Sequence, residues 1–238
     1  MMRRGLLNIA HRGASGDFPE NTLRAFDAAI AAGAVMCELD VQRTADGVLV
    51  VIHDDTLART TAGAGKVAAV NFAELRRLDA GRWHGPQFSG ERVPTLREVL
   101  DLVRGRCALN VELKAEGIAA PVCELIRERR AAEFTLVSSF DWPAIAEVRR
   151  IAPELQTGLL ASRGAARALD TATAMRVAAL NPRYDLVDSE LCAAAHQRGL
   201  RVYAWTVDDP AEMGRLIDAG IDGLMTNYPA RLRALTEA

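Results

Sequence analysis

The sequence has few cysteines and no pattern that would pair them. Cys37, Cys107, Cys123 and Cys192 are far apart among the 238 residues, and no Cys-x-x-Cys pair occurs. This spacing argues against a disulfide framework and against a zinc site built from thiolates. We therefore expect free thiols in a reducing cytoplasm.

The chain also lacks an excess of one charge and any long apolar run. Its 29 Lys and Arg residues against 31 Asp and Glu residues leave a formal charge of -2, which offers no basic field to a nucleic acid or an anionic membrane. No stretch approaches the roughly 18 apolar residues of a membrane-spanning helix. The apolar segment 5–10 is too short for the core of a signal peptide. We expect a cytoplasmic protein that binds neither nucleic acid nor, stably, a membrane.

Nine short apolar runs rich in β-branched residues follow one another, and most are separated by segments with helical periodicity. Three of the helical segments stop at a glycine, at Gly33, Gly199 and Gly220, directly before a strand. This alternation is typical of a parallel sheet with crossover helices. The predicted strands are 6–10, 35–41, 48–52, 107–113, 134–138, 155–160, 184–188, 200–206 and 221–226.

Nine strands are one more than an α/β barrel needs. Ala45-Asp46-Gly47 indicates a tight turn, so we interpret run 48–52 as a hairpin partner of run 35–41. The prediction is therefore a (β/α)8 TIM barrel that forms one domain over residues 1–238, with a small insertion at about 54–94 in the second βα loop.

Two of the four histidines, His11 and His53, end apolar strand runs. The carboxyl ends of barrel strands carry the active site. One such histidine is more often a hydrogen-bonded edge residue, but two, each followed by a charged residue (Arg12 and Asp54), favour a catalytic pair.

Acidic residues interrupt two strands at a spacing of two, which places their side chains on one face. Glu38 and Asp40 form the first pair, and Glu112 with Lys114 forms a second that could also be a self-neutralising ion pair. Lys114 is one of only two lysines against 27 arginines, which suggests a role for a compact ammonium. Carboxylates confined together favour a hard divalent cation such as Mg²⁺, Mn²⁺ or Ca²⁺.

Three carboxylates, the two cations Arg12 and Lys114, and two imidazoles would thus share the barrel lumen. A metal ion and cations suit the charge of a phosphodiester in its transition state. Two imidazoles with pKa values near neutrality can supply the acid and the base.

Motifs along nearly the whole chain then resemble the glycerophosphodiester phosphodiesterase family, in its bacterial cytoplasmic type. In order they are His11-Arg12-Gly13, Pro19-Glu20-Asn21-Thr22, Glu38-x-Asp40, Asp46-Gly47, His53-Asp54, Arg59-Thr60-Thr61, Pro94-Thr95-Leu96, Glu112-Leu113-Lys114, Ser138-Ser139-Phe140, Trp205-Thr206-Val207 and Gly220-Ile221-Asp222-Gly223. The resemblance implies a metal-dependent barrel that cleaves a glycerophosphodiester to sn-glycerol 3-phosphate and an alcohol.

The resemblance also implies roles for individual residues. His11 and His53 are the acid and base; Glu38, Asp40 and Glu112 hold one metal ion; Arg12 and Lys114 bind the phosphate. Trp205 is either a wall for the glycerol moiety or an ordinary barrel-end aromatic. We expect Glu20 and Asn21 to shape the first βα loop and cap its helix.

Two departures from the family pattern are expected to leave the chemistry untouched. Asn227 stands where family members often have Asp, and Asp208 where Asn is common. The alternative functions are a lysophospholipase D or sphingomyelinase D-like phosphodiesterase, which needs room for an acyl chain, and a non-catalytic phosphodiester-binding protein.

Overall fold

The computed structural model describes residues 5–237. Strands and helices alternate along the chain, as the hydrophobic periodicity predicts. The strands are β1 (Leu7–His11), β2 (Met36–Arg43), β3 (Leu49–Val51), β4 (Ala108–Leu113), β5 (Thr135–Ser139), β6 (Gln156–Ala161), β7 (Ala179–Pro182), β8 (Arg201–Ala204) and β9 (Gly223–Thr226). The helices are α1 (Leu23–Ala31), α2 (Phe72–Leu75), α3 (Leu96–Val103), α4 (Ala119–Glu128), α5 (Trp142–Ile151), α6 (Ala165–Ala174), α7 (Ser189–Gln197), α8 (Pro210–Asp218) and α9 (Pro229–Glu237).

Eight of these strands form a closed parallel ring in the order β1-β2-β4-β5-β6-β7-β8-β9. The ring closes because β1 pairs on both of its edges: Ile9 is in register with Met36 on β2 and with Met225 on β9. The predicted (β/α)8 barrel is confirmed. All strands of the ring point the same way, so their carboxyl ends meet at one mouth.

β3 lies outside the ring and pairs antiparallel with the end of β2, with Val41 in register with Val51. The tight turn between the two strands contains Gly47, whose φ of 85 lies in the left-handed region that glycine adopts without strain. The following segment, 54–94, contains α2 and two short 3₁₀ helices, Val67–Ala69 and Pro86–Phe88. It encloses a small core of its own with the hairpin, formed by Val50, Ile52, Leu57, Val67, Leu75, Ala80 and Val93.

The sixth strand of the ring is not where the sequence pattern placed it. Strand β7 is Ala179–Pro182, whereas Tyr184–Leu186, inside the predicted strand 184–188, is a short 3₁₀ helix. Helix α6 ends without a glycine, because Arg176 itself takes a positive φ of 52. With no glycine to mark the end of α6, the alanine-rich start of β7 resembles a continuation of the helix. The sequence pattern therefore places the strand at the next apolar run, 184–188.

The barrel has two apolar layers that support the site. The larger lies between the strands and the surrounding helices. A smaller one fills the lumen below the mouth and consists of Ile9, Leu136, Ala179, Tyr203 and Met225. Within residues 5–237, no helix has the length and apolar character needed to cross a membrane.

Candidate active site

A pocket opens at the mouth of the barrel, where the strands end. Seven of the eight residues singled out in the sequence line it, and the eighth, Asp40, lies just below with 1% of its surface exposed. The lining is formed by His11, Arg12, Glu38, His53, Asn110, Glu112, Lys114, Ser138, Phe140, Leu160, Trp205, Thr206 and Met225. The structure therefore brings all eight residues together from β1, β2, β4, β8 and the hairpin.

Three buried carboxylates form a cluster at the base of the pocket. Glu38, Asp40 and Glu112 each offer an oxygen within 4.8 Å of the others. Burial, and then repulsion from Asp40 and Glu112, raises the pKa of Glu38 well above its usual value. Burial and Asp40 likewise raise the pKa of Glu112 to about 7, although Lys114 opposes them. Within residues 5–237, Oδ1 of Asp40 has no hydrogen-bond partner. The cluster could hold a metal ion, which would offset the repulsion between the carboxylates and satisfy the unpartnered oxygen.

Two cations flank the carboxylates. The Arg12 guanidinium lies 3.2 Å from Oδ2 of Asp40 and 2.9 Å from Oε1 of Glu20, and its backbone N–H donates to Oε2 of Glu38 over 3.0 Å. The Lys114 Nζ lies 3.0 Å from Oε1 of Glu112 and 3.8 Å from Oδ1 of Asp40. Lys114 is thus more than a partner for Glu112, because it also faces the cluster and the open pocket.

His53 reaches the pocket from the hairpin. The backbone N–H of Ile52 donates to the carbonyl of Asp40 over 3.0 Å, and Nε2 of Gln42 donates to the carbonyl of His53 over 3.2 Å. Nδ1 of the ring lies 2.6 Å from Oδ1 of Asp54. Because a carboxylate only accepts, Nδ1 carries the proton and Nε2 faces the Lys114 ammonium at 3.3 Å.

His11 ends β1 on the opposite side of the cluster. Its Nδ1 lies 2.7 Å from Oδ1 of Asn227, and its Nε2 lies 4.0 Å from Oε2 of Glu38. Burial and the neighbouring Arg12 guanidinium lower the pKa of His11 to about 4. The ring is therefore neutral at neutral pH. Asn227, one of the two departures from the family pattern, thus lies in direct contact with a residue predicted to be catalytic.

Arg59 joins the segment 54–94 to the first βα loop. Its guanidinium forms two hydrogen bonds with Glu20, both of 2.8 Å, and two with Asp54, of 2.7 and 2.9 Å. Burial alone would raise the pKa of Glu20, but Arg59 and Arg12 together lower it to about 2. Glu20 thus shapes the loop as expected, and it does so by linking the two arginines.

The helix cap in that loop belongs to a different residue from the expected one. Thr22, not Asn21, accepts the N–H of Ala25 at the start of α1. Asn21 takes a positive φ of 58 and donates from Nδ2 to Oδ2 of Asp40 over 2.9 Å. The side chain of Asn21 therefore orients a carboxylate of the cluster.

Two aromatic side chains, Trp205 and Phe140, form part of the remaining wall of the pocket. Trp205 follows β8, the seventh strand of the ring, and its Nε1 donates to the carbonyl of Asn181 over 2.8 Å. The ring of Phe140 meets it edge-on at 5.3 Å and stays 44% exposed. Trp205 is thus fixed in the wall of the pocket beside Phe140, a position that fits a wall for the carbon skeleton of a small ligand.

Comparisons with known proteins agree with this geometry. A model of the glycerophosphoryl diester phosphodiesterase family matches residues 11–231. The chain belongs to that family. A glycerophosphodiester phosphodiesterase of Caldanaerobacter subterraneus subsp. tengcongensis is 41% identical over 95% of this chain and 96% of its own. The family resemblance, and the phosphodiesterase activity expected with it, are therefore confirmed.

Solved structures of other family members have the same fold. A phosphodiesterase of Oleispira antarctica, in complex with the product sn-glycerol 3-phosphate, is 31% identical with a TM-score of 0.91, over 97% of this chain and 96% of that one. A glycerophosphodiester phosphodiesterase of Agrobacterium tumefaciens is 32% identical with a TM-score of 0.86, over 95% and 98%. The barrel assigned from the sequence is thus the fold of its relatives.

Proposed function

We propose that this phosphodiesterase cleaves a glycerophosphodiester to sn-glycerol 3-phosphate and an alcohol, with His11 and His53 as base and acid. One observation carries the assignment: both rings are held through Nδ1, and both turn Nε2 toward a pocket that also contains carboxylates and cations. The product bound to the Oleispira antarctica relative supports the same substrate class.

The partners of the two rings suggest which histidine does which task. Nδ1 of His53 is paired with the Asp54 carboxylate, whose negative charge would balance that of a protonated ring beside the Lys114 ammonium, so we assign His53 the transfer of a proton to the leaving alkoxide. His11 is buried and paired with a neutral amide, so we assign it the removal of a proton from the attacking hydroxyl. That hydroxyl is the 2-hydroxyl of the glycerol moiety or a water molecule.

The carboxylates Glu38, Asp40 and Glu112 would hold one divalent ion, of which Mg²⁺, Mn²⁺ and Ca²⁺ match the all-oxygen donor set. When bound, the ion would neutralise charge that develops on the phosphate. Arg12 and Lys114 would bind the phosphate oxygens from the sides, and Trp205 would cover the glycerol carbons. All four cysteines are free thiols, which supports a place in the reducing cytoplasm.

Arg59 supports the acid indirectly, which gives a first prediction. Arg59→Lys replaces a planar fork with a single ammonium, which cannot pair with Glu20 and Asp54 through two bonds each. We expect kcat to fall about tenfold, since Asp54 would hold His53 less firmly. The measurement is steady-state kinetics beside a thermal melt.

Arg24→Lys is the matched control for Arg59→Lys. Arg24 also joins α1 to the segment 54–94, through the carbonyl of Gln87 and the carboxylate of Glu91, but it does not line the pocket. It should keep the parental kcat. An Arg59→Lys enzyme with parental kcat would show that the fork has no part in turnover.

The reaction itself is tested by release of glycerol 3-phosphate from glycerophosphocholine, glycerophosphoethanolamine and glycerophosphoglycerol, with and without chelator. The charged side chains of the site are all assigned to the phosphate or the metal ion, so the identity of the head group should have little effect on kcat/KM. We expect kcat/KM values within about a hundredfold of each other and loss of activity with chelator. Cleavage of lysophosphatidylcholine with none of the three accepted would instead indicate a lysophospholipase D. Binding without turnover at any metal concentration would indicate a non-catalytic protein.

A further inference from the structure

Three side chains from neighbouring strand ends form a hydrogen-bonded chain behind the His11 ring. Asp208 lies between β8 and α8, Asn227 follows β9, and His11 ends β1. Nδ2 of Asn227 donates to Oδ2 of Asp208 over 2.6 Å, and Oδ1 of Asn227 lies 2.7 Å from Nδ1 of His11. The hydrogen-bonded chain thus ends on Nδ1 of His11, whereas Nε2 of the same ring faces Glu38.

The direction of every hydrogen bond in this chain follows from Asp208. A carboxylate only accepts, so Asn227 turns its NH₂ group to Asp208 and its carbonyl oxygen to His11. A carbonyl oxygen also only accepts, so Nδ1 of His11 carries the proton. Nε2 then keeps a lone pair on the pocket side, which is what a general base requires.

We propose that Asp208 and Asn227 are positioning residues that hold His11 in the tautomer with its proton on Nδ1. This inference rests on the proposed function, because it gives that tautomer a use only if His11 is the base. The hydroxyl of Ser15 lies 2.7 Å from Oδ1 of Asn227 and 2.7 Å from the carbonyl of His11, so it can donate to the same oxygen without opposing the chain.

The surroundings of Asp208 predict what its amide variant would do. Oδ1 of Asp208 accepts from the Thr226 hydroxyl over 2.9 Å and from the backbone N–H of Asn227 over 2.8 Å. In Asp208→Asn these two donors would keep the one remaining oxygen, so the new NH₂ group would face Asn227. Asn227 would then turn its oxygen to position 208 and its NH₂ to His11, which moves the His11 proton to Nε2.

The double exchange Asp208→Asn with Asn227→Asp should restore the chain. A carboxylate at position 227 accepts from the new amide at 208 and from Nδ1 of His11, so the proton returns to Nδ1. The single change Asn227→Asp instead places two carboxylates face to face, where they repel each other unless they share a proton. The pair therefore predicts impaired single variants and a recovered double variant.

The first test compares steady-state kinetics on glycerophosphocholine with saturating Mg²⁺. We expect Asp208→Asn to lower kcat by about 10², the scale of a lost general base, with KM within about threefold of the parent. The double exchange should recover at least about tenfold of that loss. Asp209→Asn is the matched control, since Asp209 caps α8 through the N–H groups of Ala211 and Glu212 and does not touch the chain; it should keep the parental kcat.

The second test reads the tautomer directly and needs no turnover. In the full-length protein labelled with ¹⁵N-histidine and loaded with Mg²⁺, the His11 signals, identified by their loss in His11→Gln, should show the proton on Nδ1. In Asp208→Asn they should show it on Nε2, and in the double exchange on Nδ1 again. This measurement on the parent decides the inference even if a variant does not fold.

The outcomes separate this inference from the proposed function. A parental His11 with its proton on Nε2, or an Asp208→Asn enzyme with parental kcat, would overturn the inference. A double exchange as impaired as Asp208→Asn would overturn it too, because only a fold-supporting role would then remain. Full turnover by His11→Gln would instead refute the role of His11 as base and leave the tautomer result standing.

Discussion

His11→Ala and His53→Ala are each expected to lower kcat by at least about 10², equivalent to about 2.7 kcal/mol of transition-state stabilisation. Each ring is held through Nδ1 and presents Nε2 to the same pocket, so neither can replace the other. Both changes are made at the mouth of the barrel, above the lumen core, so the thermal melt should stay close to that of the parent. Steady-state kinetics on glycerophosphocholine is the measurement.

His196→Ala is the matched control. His196 is exposed, pairs with Asp222 and does not line the pocket, so its loss should leave kcat unchanged and cost little stability. In the parent, kcat/KM should pass through a maximum with pH, because one imidazole must be neutral and the other protonated. A His53→Ala enzyme with near-parental kcat would remove the hairpin histidine from the mechanism.

Neutralising the carboxylates is expected to have a comparably large effect, through metal binding. Glu38→Gln, Asp40→Asn and Glu112→Gln preserve shape but remove negative charge from a cluster whose oxygens lie within 4.8 Å of one another. A hard cation binds such a site mainly through that charge, so Mg²⁺ affinity should fall steeply, with activity partly recovered at high metal concentration. Mg²⁺ titration by calorimetry and by activity checks both parts.

Lys114→Ala should move metal affinity in the opposite direction. It removes a positive charge 3.0 Å from Glu112 and 3.8 Å from Asp40, so metal should bind equally well or more tightly while turnover of the anionic substrate suffers. Glu128→Gln, on an exposed carboxylate paired with Arg97, is the control and should change neither. Weaker metal binding by Lys114→Ala, or parental binding by Glu112→Gln, would contradict the roles assigned to these two residues.

The barrel and the meeting of the site residues could be predicted because their signals are local. A spacing of two on β2 and on β4 puts Glu38, Asp40, Glu112 and Lys114 on one face, and strand ends bring His11 and His53 to one mouth. The distances between these side chains are set by closure of the ring, which no local sequence pattern predicts. The hairpin assignment also followed from a turn that a few residues specify.

The features that were missed depend on contacts between distant segments or on an unusual backbone. Arg176 ends α6 at a positive φ without the usual glycine, so β7 was misplaced. Asn227 lies 216 positions from His11, and nothing in its own segment marks the contact. Arg59 was visible only as part of a motif, because its bonds to Glu20 span 39 positions. Contacts between residues so far apart in the sequence can be identified only from the tertiary structure.

The pairing of β1 with β9 determines when, during synthesis, the active site can be completed. Apart from Trp205, every residue proposed to act on substrate or metal lies within the first 114 positions, so a ribosome delivers the chemical groups early. Yet β1 finds its second partner, and His11 its Asn227, only after the last strand emerges. A growing chain therefore contains the three carboxylates proposed to bind metal long before its ring can close, and we expect activity to appear only when the ring is complete.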